Sequence, residues 1–281
     1  MCEGRDCGLD RRDFLKAGAA SVAGFAALGD APSKQPPTRV LDDPRVEHGI
    51  VMFKHAGKET FEGYLARPKA SGVFPGVLVI AGRSIYEEYI QNTCAALALA
   101  GFVGLAPNVF HPVPYEDAKD MNLDAAVINS FIKDHGDDDV FEDVVVGIDY
   151  LRRQPFVRGG GFGMVGFCYG GYISLLTAAR SRDISAVVAF HPGSDHYLKE
   201  FSQIRVPVQL HQGTADHSVD PKFVIHIRNM IAAQHVPVEL FMYQGADHGF
   251  IAYTREFYRP DYAALSWSRT IKFLSKYLKE K

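Results

Sequence analysis

The sequence predicts an α/β domain with a mostly parallel sheet, helices on both sheet faces and an antiparallel pair of strands at the N-terminal edge. From residue 76 onward, apolar runs of strand length alternate with helical patterns, which is typical of a helix-covered parallel sheet. Two further strand patterns precede this alternation. The 281 residues are 47% hydrophobic and 22% charged, which supplies a full-sized core.

The first half of the domain contains three predicted strands, one helix and a fourth strand. VEHGIVMFK and TFEGYLARP flank the turn AGK and predict an antiparallel pair, followed by the strand GVLVIAG, the helix EEYIQNTCAALALAG and the strand FVGLAP. Residues 108–139 then lose this regularity. Because that stretch is too long for a simple connector, we expect it to hold short helices over the site.

The second half continues the alternation to the C-terminus. Its predicted elements are the helix FEDVVVGIDYLRRQ, the strand GFGMVGF, the helix GGYISLLTAARS, the strands ISAVVAFH and VPVQLHQG, the helix PKFVIHIRNMIAAQH, the strand VPVELFMYQG and the amphipathic closing helix YAALSWSRTIKFLSKYLKEK.

Residues 1–31 have the layout of a bacterial twin-arginine (Tat) export signal. Arg11 and Arg12 open the segment RRDFLK, and a short run rich in Ala and Gly follows. That run is too short for a stable membrane anchor. We therefore expect recognition by the Tat machinery, cleavage near residues 29–31 and a periplasmic or extracellular location. The alternative is an amphipathic helix that stays attached. Residues 32–45 are a Pro-rich linker, and 46–281 form the domain.

Net charge and residue spacing also limit the possible partners and cofactors of the protein. A net charge of -3 without a basic patch argues against nucleic acid. The eleven histidines show no metal-ligand spacing, and DHGDDD at 134–139 is typical of a solvated turn and helix cap rather than a metal site. We expect no cofactor and no metal. Cys94 falls in a helix and Cys168 in a turn, so a disulfide between them is not expected.

The segment GFCYGG carries the strongest chemical signal. Gly166, Cys168 and Gly170 form a G-x-nucleophile-x-G pattern between a predicted strand and a predicted helix. Such an elbow exposes the sulfur, and the positive end of the following helix favours a thiolate. The alternative is a buried structural cysteine at a Gly-rich helix contact.

Two further residues complete a possible triad. Asp216 follows the strand VPVQLHQG, and His248 follows VPVELFMYQG. Because parallel strands end at one edge of the sheet, both residues should meet Cys168 there. His248 would take the thiol proton or pair with the thiolate, and Asp216 would fix the tautomer of the imidazole. Asp220 and Asp247 are rival carboxylates, but Asp220 fits a helix N-cap and Asp247 should point elsewhere.

The remaining histidines near these motifs have simpler explanations. His217, His191 and His211 are expected at the rim or at strand ends, with His191 also a candidate substrate contact. An oxyanion formed at the acyl carbon would need two backbone amides. We expect these from Tyr169 and from Gly82 or Arg83 in the loop after GVLVIAG.

The motifs GFCYGG, GTADHSV and GADHGF, in this order and with the closing helix, resemble the dienelactone hydrolase family over residues 46–279. The resemblance implies the α/β-hydrolase fold and a triad of Cys168, Asp216 and His248. It also implies hydrolysis of a small carboxylic ester or lactone through an acyl-enzyme, without metal or organic cofactor.

The sequence departs from the family pattern in the binding region. The family usually has Glu as the second residue of the loop after the central strand, where this chain has Gly82; Glu87 or Glu88 is either a replacement or a helix cap. The arginines that bind the dienelactone carboxylate are replaced as well, so the expected substrate is not dienelactone itself. The candidate substrate contacts are Arg83, Tyr86, His191, Phe250 and Arg255.

Three functional hypotheses remain open at this point. The first is an exported cysteine-dependent ester or lactone hydrolase. The second is a binding protein that keeps the fold without turnover, motivated by the absent loop Glu. The third is a thioesterase or peptidase that uses the same three residues.

Overall fold

The computed structural model describes residues 39–54, 60–111 and 125–280. The predicted export signal (1–31), the first part of the linker and the AGK turn lie outside the described residues. The strands are β1 (Val46–Lys54), β2 (Thr60–Pro68), β3 (Gly76–Ile80), β4 (Val103–Pro107), β5 (Phe162–Phe167), β6 (Ile184–Phe190), β7 (Val208–Gly213) and β8 (Val238–Tyr243). The helices are α1 (Glu88–Leu99), α2 (Ala125–Arg152), α3 (Tyr169–Arg180), α4 (Pro221–Ala232) and α5 (Pro260–Leu278).

Within the described residues the strands form one eight-stranded sheet in the order β1-β2-β4-β3-β5-β6-β7-β8. The β1–β2 and β2–β4 pairs are antiparallel, and every later pair is parallel. Leu78 of β3, for example, pairs with Leu105 of β4 and Met164 of β5. The predicted fold class, a mostly parallel sheet with an antiparallel N-terminal edge, is confirmed.

Helices cover both faces of the sheet because the central strands are apolar on both sides. Leu78 and Ile80 of β3 belong to the core formed with α2, α3 and α4. The alternating residues Val77 and Val79 belong to the core formed with α1 and α5. Successive strand residues point to opposite faces, so a continuous apolar run such as GVLVI requires a layer of helices on each side.

The structure gives a more regular course for residues 125–139 than the sequence predicted. Short helices and a solvated turn were expected; α2 extends from Ala125 to Arg152, and the non-helical Gly136 (φ 77°, ψ 156°) divides it into two helical segments that meet at a kink. After Gly136, the buried side chains of Val140, Val144 and Ile148 lie four residues apart, which places them on one apolar face of the helix. The acidic run at 134–139 covers the start of this apolar pattern, so the sequence did not indicate it. Residues 112–124 lie outside the described residues.

A 3₁₀ helix between β6 and β7 was also not predicted. It covers Leu198–Gln203, and its Phe201 is fully buried in the core. Short 3₁₀ segments carry little sequence periodicity, so a single buried aromatic residue is the main signal. None of the helices in the described ranges has the length and apolarity needed to cross a bilayer.

The start of α3 packs directly on the end of β3. A Cβ atom added to Gly170 would lie 2.1 Å from the carbonyl oxygen of Ile80. That distance is far below van der Waals contact, and the obstacle is backbone that cannot rotate away. Only glycine allows α3 to approach the sheet closely enough to place the preceding turn at the sheet edge.

Replacing Gly170 with Ala should therefore destabilise the fold by roughly 1–3 kcal/mol or more, through overpacking against rigid backbone. Gly159 is the matched control because an added Cβ there meets nothing within 4 Å. Gly159→Ala should change the free energy of unfolding by no more than about 0.5 kcal/mol. Urea unfolding measures both variants, and equal midpoints would contradict the close-packing argument.

Candidate active site

Cys168 lies at the junction between β5 and α3 in a strained backbone conformation. Its φ of 55° and ψ of -121° are unusual for a residue other than glycine. The Cys168 amide donates to the carbonyl of Phe190 at 3.0 Å, and the Tyr172 amide donates to the Cys168 carbonyl at 3.2 Å. These bonds from β6 and α3 hold the turn, which leaves the cysteine partly exposed above the sheet edge.

His248 and Asp216 meet at the same sheet edge. The Nδ1 atom of His248 lies 3.0 Å from Oδ2 and 3.2 Å from Oδ1 of Asp216. The carboxylate side chain of Asp216 is fully buried, whereas that of His248 is 22% exposed. An imidazole bound in this way through Nδ1 has its Nε2 atom available for another group. The sequence-based expectation that parallel strands bring these residues together agrees with this geometry.

The carboxylate of Asp216 is held by further donors. The amides of Ser218 and Val219 donate to Oδ1 at 2.9 and 2.8 Å, and the side-chain amide of Gln212 donates to Oδ2 at 3.1 Å. Burial would raise the pKa of Asp216, but the interaction with His248 and the Val219 amide outweigh burial and lower it. Asp216 is therefore anionic and fixed in orientation.

Asp216 in turn keeps His248 protonated. Burial would lower the pKa of His248, but the hydrogen bond to Asp216 and the interaction with Cys168 raise it to about 10. The Cys168 sulfur and one ring nitrogen each of His191 and His248 lie within 4.8 Å of one another. The site therefore places a cationic imidazole beside the sulfur of Cys168.

His191 is a direct neighbour of His248. The two ring centroids are 4.1 Å apart, and His191 is only 3% exposed. Neither ring nitrogen of His191 has a hydrogen-bond partner among the described residues. Burial and the charge of His248 lower the pKa of His191 well below its ordinary value. His191 is therefore a neutral wall of the site, and together with Cys168 and His248 it could also ligate a transition-metal ion.

The loop after β3 touches the cysteine turn. A Cβ atom on Gly82 would lie 2.9 Å from Cβ of Cys168 and 2.8 Å from the carbonyl oxygen of Phe167. Gly82, Arg83 and Tyr169 all line the pocket around the sulfur. Tyr169 is the first residue of α3, and the first amides of a helix lack partners within that helix. The three residues predicted to supply oxyanion donors thus line the same pocket as Cys168.

The structure distinguishes between the two glutamates that the sequence left open. Glu87 is 2% exposed, lines the pocket and accepts a hydrogen bond from the Arg255 guanidinium. Although Glu87 precedes α1 at the N-cap position, its side chain makes no capping bond. Glu88 instead binds Tyr253 and Arg39. Burial raises the pKa of Glu87, against the opposing charge of Arg255.

Two predicted substrate contacts are not found in the pocket wall. The pocket has a volume of about 930 Å³, and its described lining includes Arg83, His191 and Arg255 but neither Tyr86 nor Phe250. Phe250 is fully buried against core aromatic rings. Tyr86 donates its hydroxyl to a carboxylate of β2. The side chains of these two residues therefore point away from the pocket, which proximity in sequence to the site motifs does not reveal.

The two rival carboxylates have the structural roles that were expected, whereas His211 lies in the core within β7 rather than at the rim or at a strand end. Asp220 caps α4 by accepting from the Lys222 amide at 2.8 Å. Asp247 accepts from the amide and Nδ1 of His217 at 3.2 and 3.0 Å. His211 is fully buried among core residues, and burial lowers its pKa well below the ordinary value. None of these groups contacts the sulfur of Cys168 in the described hydrogen-bond network.

Sequence reasoning missed a buried carboxylate that supports the nucleophile turn. Asp137 of α2 accepts from the hydroxyls of Tyr169 and Tyr172 at 2.6 and 2.8 Å. Its side chain is 1% exposed, so the solvated turn predicted at 134–139 is wrong for this residue. A signal was present, since Asp137 lies three residues before Val140 on the apolar face of the helix.

Comparison with known proteins identifies the family of this chain. The dienelactone hydrolase family profile matches residues 61–278. A "Probable 2-oxo-3-(5-oxofuran-2-ylidene)propanoate lactonase" of Bradyrhizobium sp is 31% identical over 76% of this chain and 89% of the relative. Protein usf of Aquifex pyrophilus is 30% identical over 82% and 98%.

A solved structure provides an independent comparison of the fold. The crystal structure of a dienelactone hydrolase-like promiscuous phosphotriesterase from metagenomic libraries has a TM-score of 0.68 and 22% sequence identity, and the similarity covers 83% of this chain and 99% of that chain. The expected α/β-hydrolase fold is thereby confirmed. With the family profile spanning most of the sequence, the chain belongs to the dienelactone hydrolase family.

Proposed function

We propose that this protein hydrolyses small carboxylic esters or lactones through a covalent acyl-enzyme on Cys168. One observation carries the proposal: the sulfur of a strained strand-helix turn lies within 4.8 Å of a ring nitrogen of His248, whose Nδ1 is bound to Asp216 at 3.0 Å. Family membership and the lactonase name of the Bradyrhizobium relative support this substrate class.

In the first half-reaction the sulfur of Cys168 attacks the carbonyl carbon of the substrate. The carbon–sulfur bond forms as the carbonyl electron pair moves to oxygen, where the Tyr169 amide and the Gly82 or Arg83 amide stabilise the charge. Collapse of this intermediate breaks the bond to the alcohol oxygen. The alcohol takes its proton from His248, and a thioester remains on the enzyme.

In the second half-reaction water cleaves the thioester. His248, now neutral, removes a proton from water, and the resulting hydroxide attacks the acyl carbon. The second tetrahedral intermediate expels the Cys168 thiolate, which restores its pair with the protonated His248. A lactone follows the same route, except that the alcohol stays covalently attached and the product is one hydroxy acid.

The arginines in the pocket wall favour a substrate that carries a polar or anionic group. Arg83 and Arg255 both line the wall, and Arg255 is paired with the buried Glu87. The absent loop Glu motivated the alternative of a binding protein without turnover. The carboxylate of Glu87 weakens that motive, because a buried acidic group lines the same pocket as Cys168 although Gly82 replaces the loop Glu.

An activated ester should acylate one thiol per chain and then turn over. We expect a burst of one equivalent of released alcohol followed by steady hydrolysis, because acylation and deacylation are separate steps. Cys168→Ala and His248→Ala should each lower kcat/KM by at least about 10³-fold, and Asp216→Asn less. Stopped-flow absorbance and steady-state rates measure these quantities.

Cys94→Ala is the matched control for the thiol, since Cys94 is fully buried on α1 and should neither be acylated nor be needed. Circular dichroism checks that each variant is folded. Undiminished hydrolysis in Cys168→Ala would remove the proposed mechanism. A burst without further turnover would instead support a binding protein that has lost deacylation.

The raised pKa of His248 predicts the alkaline limit of activity. Below a pH of about 10 His248 carries the proton that the leaving alcohol needs, and above it this proton is lost. For an alkyl ester, kcat/KM should therefore fall as the pH rises through about 10. In Asp216→Asn the fall should move to lower pH, because the interaction that raises the pKa is removed. Superimposable profiles for the two proteins between pH 7 and 11 would contradict this assignment.

We also propose export by the Tat pathway, supported by the RRDFLK motif and the apolar run after it. In a bacterial host the chain should reach the periplasm. Changing Arg11 and Arg12 together to Lys should retain it in the cytoplasm, because the twin arginines are the recognised feature. Arg5→Lys is the matched control outside the motif. Cell fractionation measures the distribution, and unchanged export of the double variant would refute the proposal.

A further inference from the structure

A second group of metal-ligating side chains lies outside the catalytic pocket. His111 follows β4, while His135 and Asp143 belong to α2 on either side of the break at Gly136. The ligand atoms of these three residues lie within 4.8 Å of one another. Oδ2 of Asp143 is 3.2 Å from Nε2 of His111 and 3.9 Å from Nε2 of His135. No part of the proposed hydrolysis uses this group.

The carboxylate of Asp143 is buried and incompletely satisfied. Its side chain is 6% exposed, and Oδ2 has no hydrogen-bond partner in the described part of the chain. The nitrogen of His111 is close enough for a hydrogen bond but does not meet its angular requirement. A buried carboxylate oxygen without a donor is costly. An imidazole nitrogen and a carboxylate oxygen that are close together without forming a hydrogen bond have an arrangement suited to two ligands of one cation.

The distances suit a small divalent cation. Zinc binds imidazole nitrogen and carboxylate oxygen at roughly 2.0–2.2 Å, so tetrahedral ligand atoms are about 3.4 Å apart. The two observed separations from Oδ2, 3.2 and 3.9 Å, bracket this value. The imidazoles of His111 and His135 are 19% and 27% exposed, which gives an ion access from solvent.

Neighbouring aromatic rings fix the orientation of both imidazoles. His111 stacks on Phe61 with ring centroids 4.6 Å apart and an interplanar angle of 18°. His135 packs on Phe131 at 5.0 Å and meets the edge of His111 at 5.9 Å. Rings held in place by their surroundings lose little freedom when they bind a metal.

We propose that His111, His135 and Asp143 form a binding site for a divalent transition-metal ion of the Zn²⁺ class. Two imidazoles and one carboxylate supply three ligands, and solvent completes the coordination. This proposal departs from the sequence-based expectation of no metal, which rested on the spacing of the eleven histidines and on the acidic run at 134–139. The proposed site takes only His135 from that run and draws its other ligands from the turn after β4 and from a later turn of α2.

The site would connect α2 to the turn after β4. Asp137, which binds the hydroxyls of Tyr169 and Tyr172, lies on α2 between His135 and Asp143. An ion bound by ligands before and after this aspartate would fix the part of α2 that contacts Tyr169 and Tyr172. The proposed role is therefore structural, and it does not depend on the proposed hydrolase activity.

The test uses the full chain with the Cys168→Ala change, because Cys168, His191 and His248 form the other possible metal group. After removal of metal with EDTA, Zn²⁺ is titrated by isothermal calorimetry. Asp143→Asn and His135→Gln, each added to Cys168→Ala, should lose one bound equivalent or weaken it by at least about tenfold. Zn²⁺ should also raise the thermal midpoint of the Cys168→Ala protein more than that of either added variant.

Asp247→Asn in the Cys168→Ala protein is the matched control, since it alters another aspartate that contacts a histidine, His217. This control should keep the stoichiometry and affinity of its parent. If Asp143→Asn does not fold by circular dichroism, the partly exposed His135→Gln carries the comparison. Equal Zn²⁺ binding in parent and variants, or an equal loss in the control, would overturn the proposal.

Discussion

The strained backbone of Cys168 is the constraint on which the rest of the site depends. A residue other than glycine with a φ of 55° costs roughly 1–3 kcal/mol, so the surrounding fold must hold it. β6 does so through the Phe190 carbonyl, and α3 can start close to β3 only because residue 170 has no side chain. Gly82 then lies against Cβ of Cys168. The parallel sheet is thus the scaffold that keeps the proposed nucleophile and the proposed oxyanion donors together.

The electrostatics of the site are decided by hydrogen bonds that oppose burial. Burial alone would neutralise both Asp216 and His248, yet the interaction between them lowers the pKa of the first and raises that of the second to about 10. His191, equally buried but without such a partner among the described residues, stays neutral. Two adjacent imidazoles therefore differ in charge because only one of them binds a carboxylate.

Helix α2 links the nucleophile turn to a region that the catalytic motifs do not mark. Its Asp137 accepts hydrogen bonds from Tyr169 and Tyr172, while its His135 and Asp143, on either side of the kink at Gly136, lie close to His111. The same helix therefore supports both the proposed catalytic centre and the proposed metal site. A change in the packing of α2 would therefore shift Tyr169, whose amide is a proposed oxyanion donor.

The sequence by itself determined the strand and helix order, the antiparallel edge and the meeting of Cys168, Asp216 and His248, because period-two and period-3.6 patterns and parallel topology are local or general rules. Only the tertiary structure decided that Glu87 rather than Glu88 enters the pocket, that Phe250 is a core residue and that Asp137 is buried. These outcomes depend on the rotation of each helix and turn against elements distant in the chain, and no local pattern specifies that rotation.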